Sequence, residues 1–266
     1  MNFVKKAISH TLRDRRLIVD LSKKDFKSKY LGSYLGIAWA FIQPAFMILV
    51  YWIVFELGFR TTAVDDIPFV LWLMAAIVPW FFFSEATTNA MYAFTENSYL
   101  VKKVVFRISI LPIVKILSSF YVHLFFLCIL ILLLYGYGID PSIYNIQVLY
   151  YLVCLILFVL SISWITSTLM VFMKDIGQFV SMLLQILFWL TPILWDFKIV
   201  SEKFEFLFKL NPLFYIVQGY RDSLINHVGF WNYYNLTIYF WLLTASLFLI
   251  GFLLFKKLKP HFADVL

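Results

Sequence analysis

Hydrophobic and polar positions in this chain do not alternate with the short periods of a soluble fold. They come in blocks. A polar, basic block runs to about residue 34, and long apolar blocks follow, separated by shorter polar ones. A helix needs about 20 apolar residues to cross the hydrocarbon core of a bilayer. Six blocks meet or approach that length: Leu35–Gly58, Phe69–Ala93, Ile108–Tyr135, Ile146–Phe172, Ile176–Trp195 and Tyr233–Phe255. Pro44, Pro79, Pro112 and Pro192 fall in these blocks or at their ends. Membrane helices tolerate proline as a kink rather than a break. The pattern predicts an all-α integral membrane protein with six transmembrane helices.

Two connections carry structure of their own. Before the first span, Leu17, Ile18, Leu21, Phe26 and Tyr30 fall approximately on one helical face and lysines flank them. This suits an amphipathic interfacial helix on the inner headgroups, where a basic residue near anionic lipid contributes about 1 kcal/mol. The alternative is a solvated basic arm. Between spans five and six, Glu202–Leu210 places Phe204, Leu207 and Phe208 on one face. Asn211-Pro212 then reads as an N-cap followed by proline in the first turn, and Leu213, Ile216, Val217, Tyr220 and Leu224 continue at helical spacing. Two outer re-entrant half-helices are expected over 196–226.

Charge sets the orientation. Of 22 Lys and Arg, 17 lie in residues 1–35, in the connection between spans two and three with Lys115 just inside span three, in the turn at Lys174, or in the tail. Cytoplasmic connections carry the excess of Lys and Arg, so both termini are expected to be cytoplasmic and the span number even. The placement also explains the net charge of +7 without nucleic acid. Composition agrees: 63% of residues are hydrophobic and 14% charged, against about 25% charged in a soluble domain. The chain divides at the membrane, with residues 1–34 as a cytoplasmic segment and 35–266 as the transmembrane domain. No cleavable signal peptide opens it, because the first 35 residues are polar and basic.

The chemistry of an enzyme is missing. GxxxxGK[ST], HExxH, GxSxG and CxxC do not occur, and four histidines and two cysteines show no ligand spacing. No metal or cofactor site is expected. Charge inside the spans is rare. Glu85 in span two is the clearest case, and Lys115 in span three would neutralise it if the two helices touch. Gln178, Ser181, Gln185 and Phe188 recur at intervals of three, four and three along span five. That stripe lines a hydrated pathway or supplies hydrogen bonds between helices. Ser161, Ser163, Thr166, Ser167 and Thr168 in span four are small residues suited to close packing.

Four stretches in order resemble the membrane subunits of ABC-2 type exporters for lipid-linked polysaccharides. They are KSKYLGSYLGIAWAFIQPAFMILVYWIVF, IPFVLWLMAAIVPWFFFS, FMKDIGQFVSMLLQILFWLTPILW and NPLFYIVQGYRDSL. Within the family, YWIVFELGFR followed by DDIPF, and SWITSTLMVFMKD with TPILW, resemble the wall teichoic acid branch more than the O-antigen or capsule branches. Lys174-Asp175 departs from the Arg-Asp of many relatives.

The resemblance implies the ABC-2 exporter fold in a plasma membrane of a Gram-positive bacterium. It implies a second copy of the chain, two copies of a separate ATPase subunit that binds ATP and Mg, and a polyprenyl-diphosphate-linked polymer as cargo. It makes residues 95–106 the coupling helix, with Glu96, Asn97, Tyr99, Leu100, Lys102 and Lys103 facing the ATPase. Lys23, Lys24, Lys27 and Lys29 would attract the diphosphate headgroup, and Trp39, Phe46, Tyr51 and Phe188 would offer sliding contacts to sugars. Rival readings are an O-antigen or capsule exporter, an exporter of a small molecule, and a membrane enzyme acting on lipid-linked sugars.

Overall fold

The computed structural model describes residues 14–60, 67–103 and 106–266. Lys5, Lys6, His10 and Arg13 of the basic segment, Asp65 and Asp66 of the outer loop, and Val104 and Val105 of the coupling segment lie outside the described residues. Among the described residues there is no β-sheet, and the regular elements are helices. The first, α1, spans Arg15–Ser28. The chain then turns through Gly32 and Gly36, whose φ values of 93° and 52° favour residues without a Cβ. Helix α2 covers Trp39–Trp52 and runs on as a π-helical turn to Gly58. Then come α3 (Phe69–Met91), the short α4 (Ala93–Glu96) and α5 (Ser98–Val101), and α6 (Leu111–Gly136). Helices α7 (Gln147–Phe172), α8 (Ile176–Leu190), α9 (Glu202–Lys209), α10 (Pro212–Arg221), α11 (Tyr234–Leu258) and α12 (Phe262–Val265) complete the chain.

Helix α3 is the centre. From Phe69 to Phe83 it is apolar all round, which marks a helix enclosed by others, and Leu71, Leu73, Ala75, Ala76, Ile77, Ala86, Ala90 and Met91 are fully buried. Its most extensive partner is α6, and α2, α7, α8 and α10 also pack on it. Lipid is as apolar as leucine, so such helices associate through close packing and hydrogen bonds rather than through exclusion of water. The pairing of α7 with α11 shows how. Ser161, Ser163, Ser167 and Thr168 are fully buried, and a Cβ on Gly251 of α11 would meet the Ser161 carbonyl at 3.3 Å and Trp164 Cβ at 3.1 Å. The small residues of span four do serve close packing.

Among the described residues, five stretches are long and apolar enough to cross a membrane: Gly36–Gly58, Phe69–Met91, Ile108–Gly136, Ile143–Phe172 and Phe230–Val265. The expected fifth span, Ile176–Trp195, is shorter than the sequence suggested. Its helix stops at Leu190 after 15 residues, about 22 Å at 1.5 Å per residue. The reason is Pro192. A proline disfavours the helical conformation of the residue before it, and Thr191 is extended at φ −94° and ψ 133°. Proline ends this helix instead of kinking it, whereas Pro44 and Pro79 lie inside α2 and α3.

The segment after α8 forms the two short helices that the pattern predicts. Asn211 caps α10, its side-chain oxygen accepting from Leu213 N–H at 3.0 Å, with Pro212 in the first turn. Helix α9 keeps Phe204, Phe206 and Leu207 exposed. Helix α10 is buried between α3 and α7. At the opposite end of the bundle α1 lies along α6. Ile18 packs against Ile110 and Val114, and the buried Ser22 hydroxyl shares a 2.9 Å hydrogen bond with Tyr121.

Candidate functional site

Two regions gather the residues that the sequence singles out. One is a charged cluster where α1 meets the bundle. The face of α1 turned to the bundle carries the buried Ile18 and Ser22, then the half-buried Asp25 and, just past the helix end, Lys29, at steps of four, three and four. It continues an apolar stripe with polar groups. Asp25 accepts from Lys115 Nζ at 2.6 Å, and Lys115 also donates to Glu96 at 2.5 Å. Lys29 Nζ lies 3.9 Å from Asp25 and 3.5 Å from Glu85. Glu85 further accepts from Asn89 and Ser119, each at 3.2 Å.

The result is a ladder of alternating charge, Glu96, Lys115, Asp25, Lys29 and Glu85, drawn from four elements. Lys115 is its buried centre, with 8% of its side chain exposed. An ammonium taken out of water costs several kcal/mol unless it is paired and hydrogen-bonded, and the two carboxylates meet that need. The sequence suggested that Lys115 neutralises Glu85 where their helices touch. The helices do touch, but Lys115 turns to Asp25 and Glu96, and Lys29 supplies the cation for Glu85. Of the lysines assigned to the headgroup, Lys23, Lys24 and Lys27 are exposed, and Lys29 is engaged in the ladder.

Beside the cluster, α4 and α5 carry the expected coupling residues. Tyr99, Lys102 and Lys103 are exposed, Glu96 is partly exposed while bound to Lys115, and Asn97 donates to the Ala93 carbonyl at 2.9 Å. Leu100 packs into an apolar cluster built by Phe94, Ile108, Phe255 and Phe262. The Phe94 ring lies 5.1 Å from Phe262 and 5.7 Å from Phe255, so the C-terminal helix supports this segment.

The second region is the face of α2 and α8. Trp39 and Phe46 are exposed on α2, and Gln178, Ser181 and Gln185 on α8. The two helices come together where Tyr51 stacks on Phe188 at 5.9 Å, with Trp80 of α3 5.4 Å from Phe188. Ser181 returns its hydroxyl to the Gly177 carbonyl of its own helix. A cavity of about 20 Å³, room for one water, lies between α2, α3 and α6 and is lined by Pro44, Glu85, Ser119 and His123 among others. His123 is buried and meets Tyr220 Oη at 3.1 Å.

The residue most completely missed by sequence reasoning is Arg221. It is 2% exposed. Its guanidinium donates to the carbonyls of Pro192 at 2.6 Å and Ile193 at 3.0 Å and sits 3.4 Å above the Trp72 ring. It thereby fastens the turn after α8 to α10 and α3. Only an arginine stacked on an aromatic face supplies several donors in a rigid plane. No periodicity marks such a residue in advance.

Residues 16–225 match the ABC-2 type transporter family. Two O-antigen export system permease proteins RfbA from Klebsiella pneumoniae are each 31% identical over 257 residues, covering 94% of this chain and 95% of the relative. The O-antigen export system permease protein RfbA of Myxococcus xanthus is 27% identical over 217 residues, 80% of this chain and 82% of the relative. This chain belongs to the ABC-2 type transporter family. As a member it is a membrane permease without a catalytic site of its own, and among the described residues no three His, Cys, Asp or Glu are grouped to hold a metal.

Proposed function

We propose that this chain is the membrane-spanning subunit of an ATP-driven exporter that moves a polyprenyl-diphosphate-linked polysaccharide across the plasma membrane. The observation that carries the reading is the similarity over nearly the full length to O-antigen export permeases. The same relatives favour an O-antigen type of polymer over teichoic acid, to which short stretches of the sequence point. The Gram-positive source implied by teichoic acid loses its support with it.

In this reading α8, though short, counts as the sixth span, and α9 and α10 dip into the outer leaflet. Both termini face the cytoplasm. Two copies of the chain work with two ATPase subunits that bind ATP and Mg. Tyr99, Lys102 and Lys103 meet the ATPase, with Tyr99 as the aromatic anchor because Leu100 is turned inward. Lys23, Lys24 and Lys27 draw the anionic headgroup toward α1. The polymer slides past Trp39, Phe46, Tyr51 and Phe188 and the amides of Gln178 and Gln185. Aromatic faces match the apolar faces of sugars and amides match hydroxyls, and many weak contacts let a chain move where one tight site would hold it.

The test is reconstitution in vesicles with the partner ATPase. ATP-dependent transfer of lipid-linked O-polysaccharide, with little transfer of lipid-linked teichoic acid, supports the proposal. The reverse preference restores the teichoic acid branch. Transfer of neither, in a complex that hydrolyses ATP, refutes polymer export.

A further inference from the structure

The charge ladder connects elements to which the proposed function assigns separate tasks. Glu96 sits in α4, at the coupling segment. Lys115 sits in α6, Asp25 in α1 with Lys29 capping its C-terminal end, and Glu85 in α3. Of the five groups, Lys115 alone touches both the coupling segment and α1. It is also the least exposed ionic group of the set.

A second set of contacts fixes each side of this joint. On one side, Phe94 is buried against Phe255 and Phe262, so the coupling segment has a firm backing. On the other, Ile18, Ser22 and Phe26 hold α1 to α6 through Ile110, Val114 and Tyr121, and Arg107 pairs with Asp14 at 3.0 Å. Surface ion pairs contribute little because water competes for them. Lys115 is shielded from that competition, and breaking either of its bonds would leave a buried ammonium with one carboxylate instead of two. The link therefore resists separation of the two elements and lets them shift together.

We propose that Lys115 is a positioning residue that joins the coupling segment to α1, so that the two move as one body when the ATPase subunits close. Displacement of α4 and α5 then reaches α1 and its exposed lysines directly, without first passing through the long spans. ATP binding would in this way tilt the surface at which the anionic headgroup is gathered. The proposal rests on the reading of residues 95–106 as the ATPase contact.

The experiment uses the full chain with its ATPase subunit in lipid nanodiscs. Spin labels are placed by Lys24→Cys on α1 and Lys102→Cys on the coupling segment, with Cys128→Ser and Cys154→Ala removing the native thiols. The Lys102 label first reports the underlying reading: addition of the ATPase subunit must immobilise it. If it stays mobile, the segment is not the ATPase contact and the proposed docking fails. With that contact present, the distance between the labels is measured without nucleotide and with ATP and vanadate. A single unchanged distance in the otherwise native chain supports the joint. A distance that shifts with nucleotide overturns it, even if every Lys115 variant fails to fold. In Lys115→Met, which loses both charge-assisted hydrogen bonds of the ammonium, a second, longer distance should gain at least about tenfold in population with nucleotide. Lys115→Arg should restore the single distance. A Lys115→Met protein that keeps the native distance in both states overturns the assignment to Lys115.

Discussion

At the scale of single residues, the fold depends on a few places where chemistry is unusual for a membrane interior. Arg221 is one. Replacing it with leucine leaves the carbonyls of Pro192 and Ile193 without their donor, and a buried unpaired group costs roughly 1–3 kcal/mol. Arg221→Leu should therefore unfold in detergent at a clearly lower temperature than the native chain, and Arg221→Lys should fall between them. Thermal aggregation monitored by size-exclusion fluorescence checks this. Gly219 is another. A Cβ there would meet the buried Tyr151 ring at 2.1 Å. Gly219→Ala should cost about 1–3 kcal/mol by overpacking, while Gly58→Ala, which has open space, should change the same transition little. These residues were hidden in the sequence for a plain reason. Arg221 looks like any loop cation until its partners arrive from α3 and the end of α8. Asp25 and Lys115 are 90 positions apart, so no local period connects them.

At the scale of elements, more was legible. Long apolar blocks predict α2, α3, α6, α7 and α11 to within a few residues, because length and hydropathy alone decide whether a helix can span. The Asn211-Pro212 signal predicts the start of α10, since capping is local chemistry. Two element-level readings needed correction. Helix α8 is shorter than its apolar block because Thr191 precedes a proline. The face of α1 turned to the bundle is not the whole apolar stripe, since Leu17 is exposed, but Ile18 with Ser22, Asp25 and the adjoining Lys29, which pack because α6 offers them Tyr121 and Lys115 and α3 offers Glu85. A prediction follows for α1. Neutralising Lys23, Lys24 and Lys27 to glutamine removes about 1 kcal/mol of attraction to anionic headgroups for each lysine. Export should slow several-fold in correctly inserted protein without loss of thermal stability. Lys29→Gln alone should instead lower stability, because Glu85 loses its cation. Export at the normal rate in the triple variant would reduce those lysines to topology signals.

At the scale of the molecule, the arrangement is a buried core around α3 with two less enclosed helices, α2 and α8, at its side. Small-residue packing and a handful of polar locks hold the core together, while Trp39, Phe46, Gln178 and Gln185 on α2 and α8 stay exposed. The chain belongs to the ABC-2 type transporter family, and the proposed polymer cargo gives the decisive experiment. Depletion of the chain in its own cells, followed by extraction and mass analysis of polyprenyl-linked material on each face of the membrane, tests it most directly. The account predicts that full-length polysaccharide on its diphosphate lipid accumulates on the inner face and disappears from the surface within a few generations. Unchanged surface polysaccharide, with no lipid-linked polymer trapped inside, would contradict it.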